Sequence, residues 1–130
     1  MKKVAIVIPA YNEEKRIGKT LEDYLSFFRD LKDRELLDFE IIVVLNACKD
    51  NTKKVVDWFK KDYPELKMLD FEESGKGFAV VEGFKDALTR KNNFIGFVDA
   101  DGATPSNAFY GLINNINEYD GIIANRWDKR

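Results

Sequence analysis

Residues 4–9 read Val-Ala-Ile-Val-Ile-Pro, and this short unbroken apolar run carries the mark of a strand buried on both faces. Beyond it the period changes. Ile17, Leu21, Tyr24, Leu25 and Phe28 recur at steps of three and four, which predicts an amphipathic helix. The alternation then repeats. Phe39–Leu45 (FEIIVVL) predicts a second strand, and Val55, Val56 and Phe59 a second helix closed by Pro64. Leu66–Phe71 predicts a third, weaker strand. Val81, Phe84 and Leu88 mark a third helix opened by Gly75-Lys76-Gly77. Phe94–Val98 predicts a fourth strand. Phe109, Leu112, Ile113 and Ile116 predict a fourth helix with Ser106 or Thr104 as its cap, and Gly121–Ala124 a fifth strand. Strands alternating regularly with helices imply an α/β fold with a parallel sheet and right-handed crossovers.

Composition narrows the chemistry. The chain has 130 residues, which fits one domain spanning 1–130, with no linker, repeat or low-complexity stretch. Lys+Arg number 21 and Asp+Glu 23, so the net charge of −2 argues against a general nucleic-acid binder. Histidine is absent, which excludes Ser-His-Asp and Cys-His catalysis and His-ligated zinc within this chain. The single cysteine, Cys48, excludes an intrachain disulfide and fits a reducing compartment. It reads as a small loop residue. No apolar run approaches the roughly 20 residues of a membrane-spanning helix, and the first strand is no signal peptide. The expected location is cytoplasmic or peripheral to a membrane.

In open α/β sheets ligands sit beyond the carboxyl ends of the strands. Each of those ends carries a polar cluster here: Tyr11 to Glu14, Asn46 to Asp50, Ser74 to Gly77, Asp99 to Gly102, and Asn125-Arg126. Within FVDADGAT (Phe97–Thr104), Asp99 and Asp101 stand at i and i+2 and point to one side if the segment is extended. Such a pair is either shared by a hard cation such as Mg²⁺ or Mn²⁺, or forms a solvated acidic turn in which Gly102 takes a positive φ. A calcium EF-hand loop fits poorly because Gly102 follows the second aspartate directly. A haloacid-dehalogenase site also fits poorly, since Ala103 holds its threonine position. Gly75-Lys76-Gly77 either meets a phosphate or is a flexible turn, and it matches neither the Walker nor the Rossmann glycine spacing. Tyr11 and Glu13 either hold a base or ribose, or serve a helix N-terminus. Arg126 either clamps a phosphate or is a charged terminus.

In order, the motifs V-I-P-A-Y-N-E-E, I-I-V-V-x-N-x-x-x-D-N-T, G-K-G-x-A-V-x-x-G and D-A-D-G-A-T resemble the inverting glycosyltransferases of family 2. The G-K-G run with D-A-D-G-A-T and the later N-R-W is most similar to the dolichyl- or polyprenyl-phosphate β-glucosyltransferase branch. The resemblance implies the GT-A fold, a three-layer Rossmann-like nucleotide-sugar-binding arrangement with a mainly parallel sheet. It implies that Pro9, Ala10, Tyr11, Glu13, Asn46 and Lys76 line the nucleotide-sugar pocket together with Asp99 and Ala100. Asp101, with Asp99, would hold a divalent metal, Mg²⁺ or Mn²⁺, and Arg126 would lie near the donor and acceptor phosphates. The implied partners are a nucleotide-diphosphate sugar, UDP-glucose above others, and a polyprenyl or dolichyl phosphate. Peripheral membrane association and a homo-oligomer are compatible with it.

Two departures stand out. The family's Asp-Asp-Gly-Ser after the second strand is Leu45-Asn46-Ala47-Cys48 here, so the aspartate that meets the base is replaced by Asn46. The family's catalytic domain also continues past the fifth strand, so this chain reads as its donor-binding part. A non-catalytic nucleotide-sugar-binding module that needs a further segment or a partner chain is the alternative. A sugar nucleotidyltransferase would want a glycine- and arginine-rich first loop, which VIPAYNEE lacks.

Overall fold

The computed structural model describes residues 1–115 and 122–124. The expected alternation is present: β1 (Lys3–Ala10), α1 (Ile17–Asp33), β2 (Asp38–Asn46), α2 (Thr52–Lys60), β3 (Leu66–Phe71), α3 (Lys76–Leu88), β4 (Phe94–Phe97), α4 (Ser106–Asn114) and β5 (Ile122–Ala124). All pairings are parallel, in the order β3-β2-β1-β4-β5. The chain therefore winds outward from β1 in one direction and then starts again on its other side at β4. That reversal makes the gap between β1 and β4 the topological switch point.

Period-two alternation along β1 divides the core. Val4, Ile6, Ile8 and Ala10 pack with α1, α2 and α4 side chains including Leu21, Phe28, Val56 and Phe109. Ala5 and Val7 face the other way, onto Ala79 and Ala87 of α3. The result is a helix–sheet–helix sandwich with β1 and β2 buried on both faces, which is why their sequences read as continuous apolar runs.

Pro9 lies in this central strand, where a proline ordinarily forfeits a ladder bond. β4 explains the tolerance. Its pairing with β1 stops at Val7 with Phe97, and Val98 N donates to Val7 O. Two residues on, Pro9 directs its missing donor toward the same flank, where β4 no longer runs. The switch-point gap opens there.

Gly83 fixes how closely α3 approaches the sheet. A Cβ at this position would overlap Val7 Cγ1 and lie 3.1 Å from Val44 Cγ2. Both neighbours are buried, β-branched side chains with little freedom to yield. Gly83→Ala therefore lowers stability by about 1–2 kcal/mol, overpacking outweighing the roughly 1 kcal/mol gain in helix propensity. A urea denaturation midpoint at or above that of the unchanged protein would refute this.

One capping expectation is corrected. Neither Ser106 nor Thr104 caps α4; Pro105 occupies the cap position and makes no side-chain cap bond. The carboxylate of Asp23 in α1 takes over, accepting from Ser106 N at 3.0 Å and Ser106 Oγ at 2.7 Å. Among the described residues no helix is long and apolar enough to cross a membrane.

Candidate nucleotide-sugar site

The loops after β1 and β2 are bound together at their bases. Asn12, at φ 49°, accepts from Lys49 N through Oδ1 at 2.8 Å. Cys48 Sγ donates to Ala10 O at 3.2 Å and accepts from Asn12 N at 3.4 Å. Cys48 is thus more than a small loop residue, since it joins two strand ends. Glu13 N donates to Thr52 Oγ1 at 2.8 Å, and Glu14 N to Asp50 Oδ2 at 3.2 Å. Burial pushes the Asp50 carboxyl up, but hydrogen bonds from Thr52 and from the Glu14 amide outweigh it and hold the group below its ordinary value. The Asp50-x-Thr52 spacing was the available signal for this brace, because an aspartate readily bonds the backbone two residues on.

The loop after β4 is held from the opposite side, by α1. Thr20 Oγ1 donates to Ala100 O at 2.7 Å, and Tyr24 OH donates to Thr104 O at 2.6 Å. With Asp23 on Ser106, three neighbouring side chains of one helix fasten the loop that carries Asp99 and Asp101. Burial, with a further contribution from the Asp23 charge, pushes the Tyr24 phenol well above its ordinary value, so it stays a donor. Periodicity reads Tyr24 as part of the apolar stripe and carries no trace of this tether.

Between the two braces lies a cleft of about 290 Å³ lined by Pro9, Ala10, Tyr11, Glu13, Asn46, Lys76, Asp99, Ala100 and Asp101. Every described residue expected at the nucleotide-sugar site is there. Arg126 lies outside the described residues. A larger hollow of about 460 Å³ adjoins on the far side of Asp101, against Lys15, Arg16 and Lys19.

Within the cleft the polar groups differ in how far they are already engaged. Glu13 Oε1 accepts from Arg16 Nε at 2.7 Å. Tyr11 is 57% exposed and offers an open ring. Asn46 is only 3% exposed; its Nδ2 donates to Gly75 O at 3.0 Å, and its Oδ1 has no partner among the described residues. A buried amide oxygen without a donor is costly, by about 1–3 kcal/mol, unless something outside the chain supplies one. Gly75 adopts φ 119° to start α3, which directs Lys76 into the cleft.

The aspartates are placed by a turn and not by an extended segment, correcting the geometric expectation. Asp99 follows β4, and Ala100-Asp101 form a turn completed by Gly102 at φ 77°. Asp101 Oδ1 accepts from Ala103 N at 2.9 Å, and Asp99 is ion-paired with Lys76. D-A-D-G is an acidic turn with a positive-φ glycine, and both of its carboxylates border one cleft. Among the described residues no group of three or more His, Cys, Asp or Glu is placed to hold a metal ion. Two carboxylates suit a hard cation only as part of an oxygen shell that a ligand's phosphates and water complete.

Comparison with known proteins gives the family. Residues 5–130 match the model of glycosyl transferase family 2. The chain belongs to that family. Among curated family relatives, a dolichyl-phosphate β-glucosyltransferase, ALG5A, of Trichomonas vaginalis is 35% identical over 115 residues, covering 87% of this chain and 35% of the relative. The chain spans about a third of the length of this relative and of two others from the same organism. Among solved structures, TarS residues 1–349 of S. aureus superpose with a TM-score of 0.65 at 25% identity, covering 88% of this chain and 32% of that one. The mannosyltransferase PcManGT of Pyrobaculum calidifontis, in complex with GDP-Man and Mn²⁺, gives 0.60 at 24% identity, with 75% and 27% covered. The fold is thus the Rossmann-like GT-A arrangement of family 2 glycosyltransferases, as the resemblance implied.

Proposed function

We propose that this chain is the donor-binding part of a metal-assisted, inverting glycosyltransferase. It transfers a hexose, glucose above others, from a nucleoside diphosphate to a polyprenyl or dolichyl phosphate at the cytoplasmic face of a membrane. The observation that carries the proposal is the single cleft that gathers Asn46, Lys76, Asp99 and Asp101 at the switch point. The dolichyl-phosphate β-glucosyltransferase relative supports the sugar and the acceptor.

Each residue has a distinct task in this reading. Asn46 Nδ2 donates to Gly75 O and its buried Oδ1 has no partner among the described residues, so the side chain presents an acceptor. It receives a ring N–H of the base, uracil N3–H for a uridine nucleotide, and Tyr11 covers the base or ribose. Lys76 and the first turn of α3 face the diphosphate. Asp99 and Asp101 would hold a divalent cation, which when bound supplies Lewis-acid stabilisation of the departing diphosphate. The acceptor phosphate oxygen bonds to the anomeric carbon from the face opposite the leaving group. The carbon–oxygen bond to the nucleoside diphosphate breaks, and the diphosphate departs with the electron pair. The phosphate, with a second pKa of about 6, is already ionised near neutral pH, so no protein base is required. A chain without histidine therefore meets the chemical demand.

Calorimetric titration of UDP-glucose and GDP-mannose, each with and without Mn²⁺, tests the proposal. The expected result is Mn²⁺-dependent binding of UDP-glucose, at least about tenfold tighter than GDP-mannose (about 1.4 kcal/mol), the glucosyltransferase relative favouring the first. Tighter GDP-mannose binding would reassign the base and sugar. No binding of either nucleotide sugar would overturn the donor reading. A chain that binds UDP-glucose yet transfers nothing to a polyprenyl phosphate would be the non-catalytic module.

A further inference from the structure

The cleft already holds a cation of the chain's own. Lys76 opens α3 and is ion-paired with Asp99, its Nζ lying 5.6 Å from the centroid of the Phe97 ring. The two partners are held very differently. The Asp99 side chain is 16% exposed, whereas that of Lys76 is 54% exposed. The carboxylate is thus the more enclosed partner, while the ammonium sits at the end of a flexible four-carbon stem.

We infer that Lys76 is a resident counter-ion, exchanged at Asp99 for a divalent cation when a nucleoside diphosphate enters, its ammonium passing to the diphosphate. The inference rests on the donor reading above. An ammonium and a divalent cation repel each other, so they cannot share one carboxylate at close range. Two carboxylates leave most of a hard cation's oxygen shell unfilled, so the cation alone displaces the lysine poorly. A diphosphate changes the balance twice. Its oxygens complete the shell, and its negative charge gives the displaced ammonium a new partner. Asn46 pins the Gly75 carbonyl, so the exchange is a swing of one side chain and not an opening of the loop.

Lysine 76 consequently acts with opposite sign on two ligands, competing with the metal and attracting the nucleotide. A purely structural lysine would do neither. The test measures free Mn²⁺ by electron paramagnetic resonance without nucleotide, and UDP binding by calorimetry in Mn²⁺. For Lys76→Met, Mn²⁺ binds about tenfold tighter and UDP about tenfold weaker than for the unchanged chain, within the usual range of coupling between sites. Lys76→Arg keeps the ion pair, so its Mn²⁺ affinity stays at or below that of the unchanged chain. Adding Asp99→Asn to Lys76→Met abolishes the gain, which assigns it to Asp99. Equal or weaker Mn²⁺ binding by Lys76→Met, or no binding by either protein, overturns the exchange. Tighter Mn²⁺ binding with no UDP binding by any form keeps the exchange at Asp99 but overturns the donor reading and the lysine's destination.

Discussion

Arg90→Met lowers the unfolding free energy by about 3–5 kcal/mol, the cost of leaving a buried carboxylate without its partner. The carboxylate is Glu40 in β2, 1% exposed and paired in register with Ala5 of the central strand. Arg90 Nε reaches its two oxygens at 2.7 and 3.0 Å, and Asn92 Nδ2 adds a bond of 2.8 Å. Lys67 stands 3.5 Å away and is 38% exposed, so it offsets only part of the loss and favours the lower end of the range. Burial drives the Glu40 carboxyl up, yet hydrogen bonds from Arg90 and Asn92, with the charges of Arg90 and Lys67, outweigh it and hold the group below its ordinary 4.5. A depressed folded-state pKa means that the stabilisation is present in full above 4.5 and declines as pH falls through the folded value. Without Arg90, burial is opposed only by Asn92 and Lys67, and the balance moves toward the protonated form. The deficit of Arg90→Met therefore shrinks on acidification. Urea denaturation at about pH 7 and about pH 4 reads both effects. A deficit below 1 kcal/mol at neutral pH, or one that grows in acid, would refute the assignment.

Asp101→Asn weakens UDP-glucose binding in Mn²⁺ by about a hundredfold, as removing one of two charged ligands from a hard-cation site should. Asparagine is chosen over alanine for a geometric reason. Its side-chain oxygen still accepts from Ala103 N, as Asp101 Oδ1 does at 2.9 Å, so the turn and its Gly102 survive. Asp101 lies on the surface, and its exchange for a neutral isostere leaves the melting temperature within about 2 °C. The same titration without metal serves as the internal control, since the two proteins should then differ little. An unchanged affinity in Mn²⁺ would remove Asp101 from the donor site.

Much of this architecture was legible because burial on both faces writes itself into sequence. The limits of β3, Leu66–Phe71, coincide with those read from the apolar pattern, and Val4 and Ala5 separate into opposite cores as period two demands. The cleft was legible because strand ends converge wherever the sheet reverses direction, so polar clusters after β1, β2 and β4 had to meet. What stayed hidden depends on neighbours far away in the chain. Thr20 and Tyr24 bond residues 80 positions on, and nothing local distinguishes such a tyrosine from a core one. The α4 cap was misassigned for the same reason, since Asp23 supplies it from 83 residues away. The sequence leaves Asn46 as donor or acceptor; the structure turns its Nδ2 to Gly75 and leaves its Oδ1 buried with no partner among the described residues.

The grip of α1 on the Asp99–Thr104 loop has a consequence for how the site can diversify. With Thr20 and Tyr24 committed to that loop and Asp23 to the start of α4 behind it, a shift of the acidic turn demands concerted replacement of helix residues as well. Single mutational steps on that wall lead to broken fastenings before they reach a new geometry. On the opposite wall β2 is joined to the start of α3 by the hydrogen bond from Asn46 to Gly75, so that junction can be re-cut with few changes. Lineages that change their donor while keeping their chemistry would accumulate their differences along β2 and the start of α3, leaving the acidic turn as the inherited part.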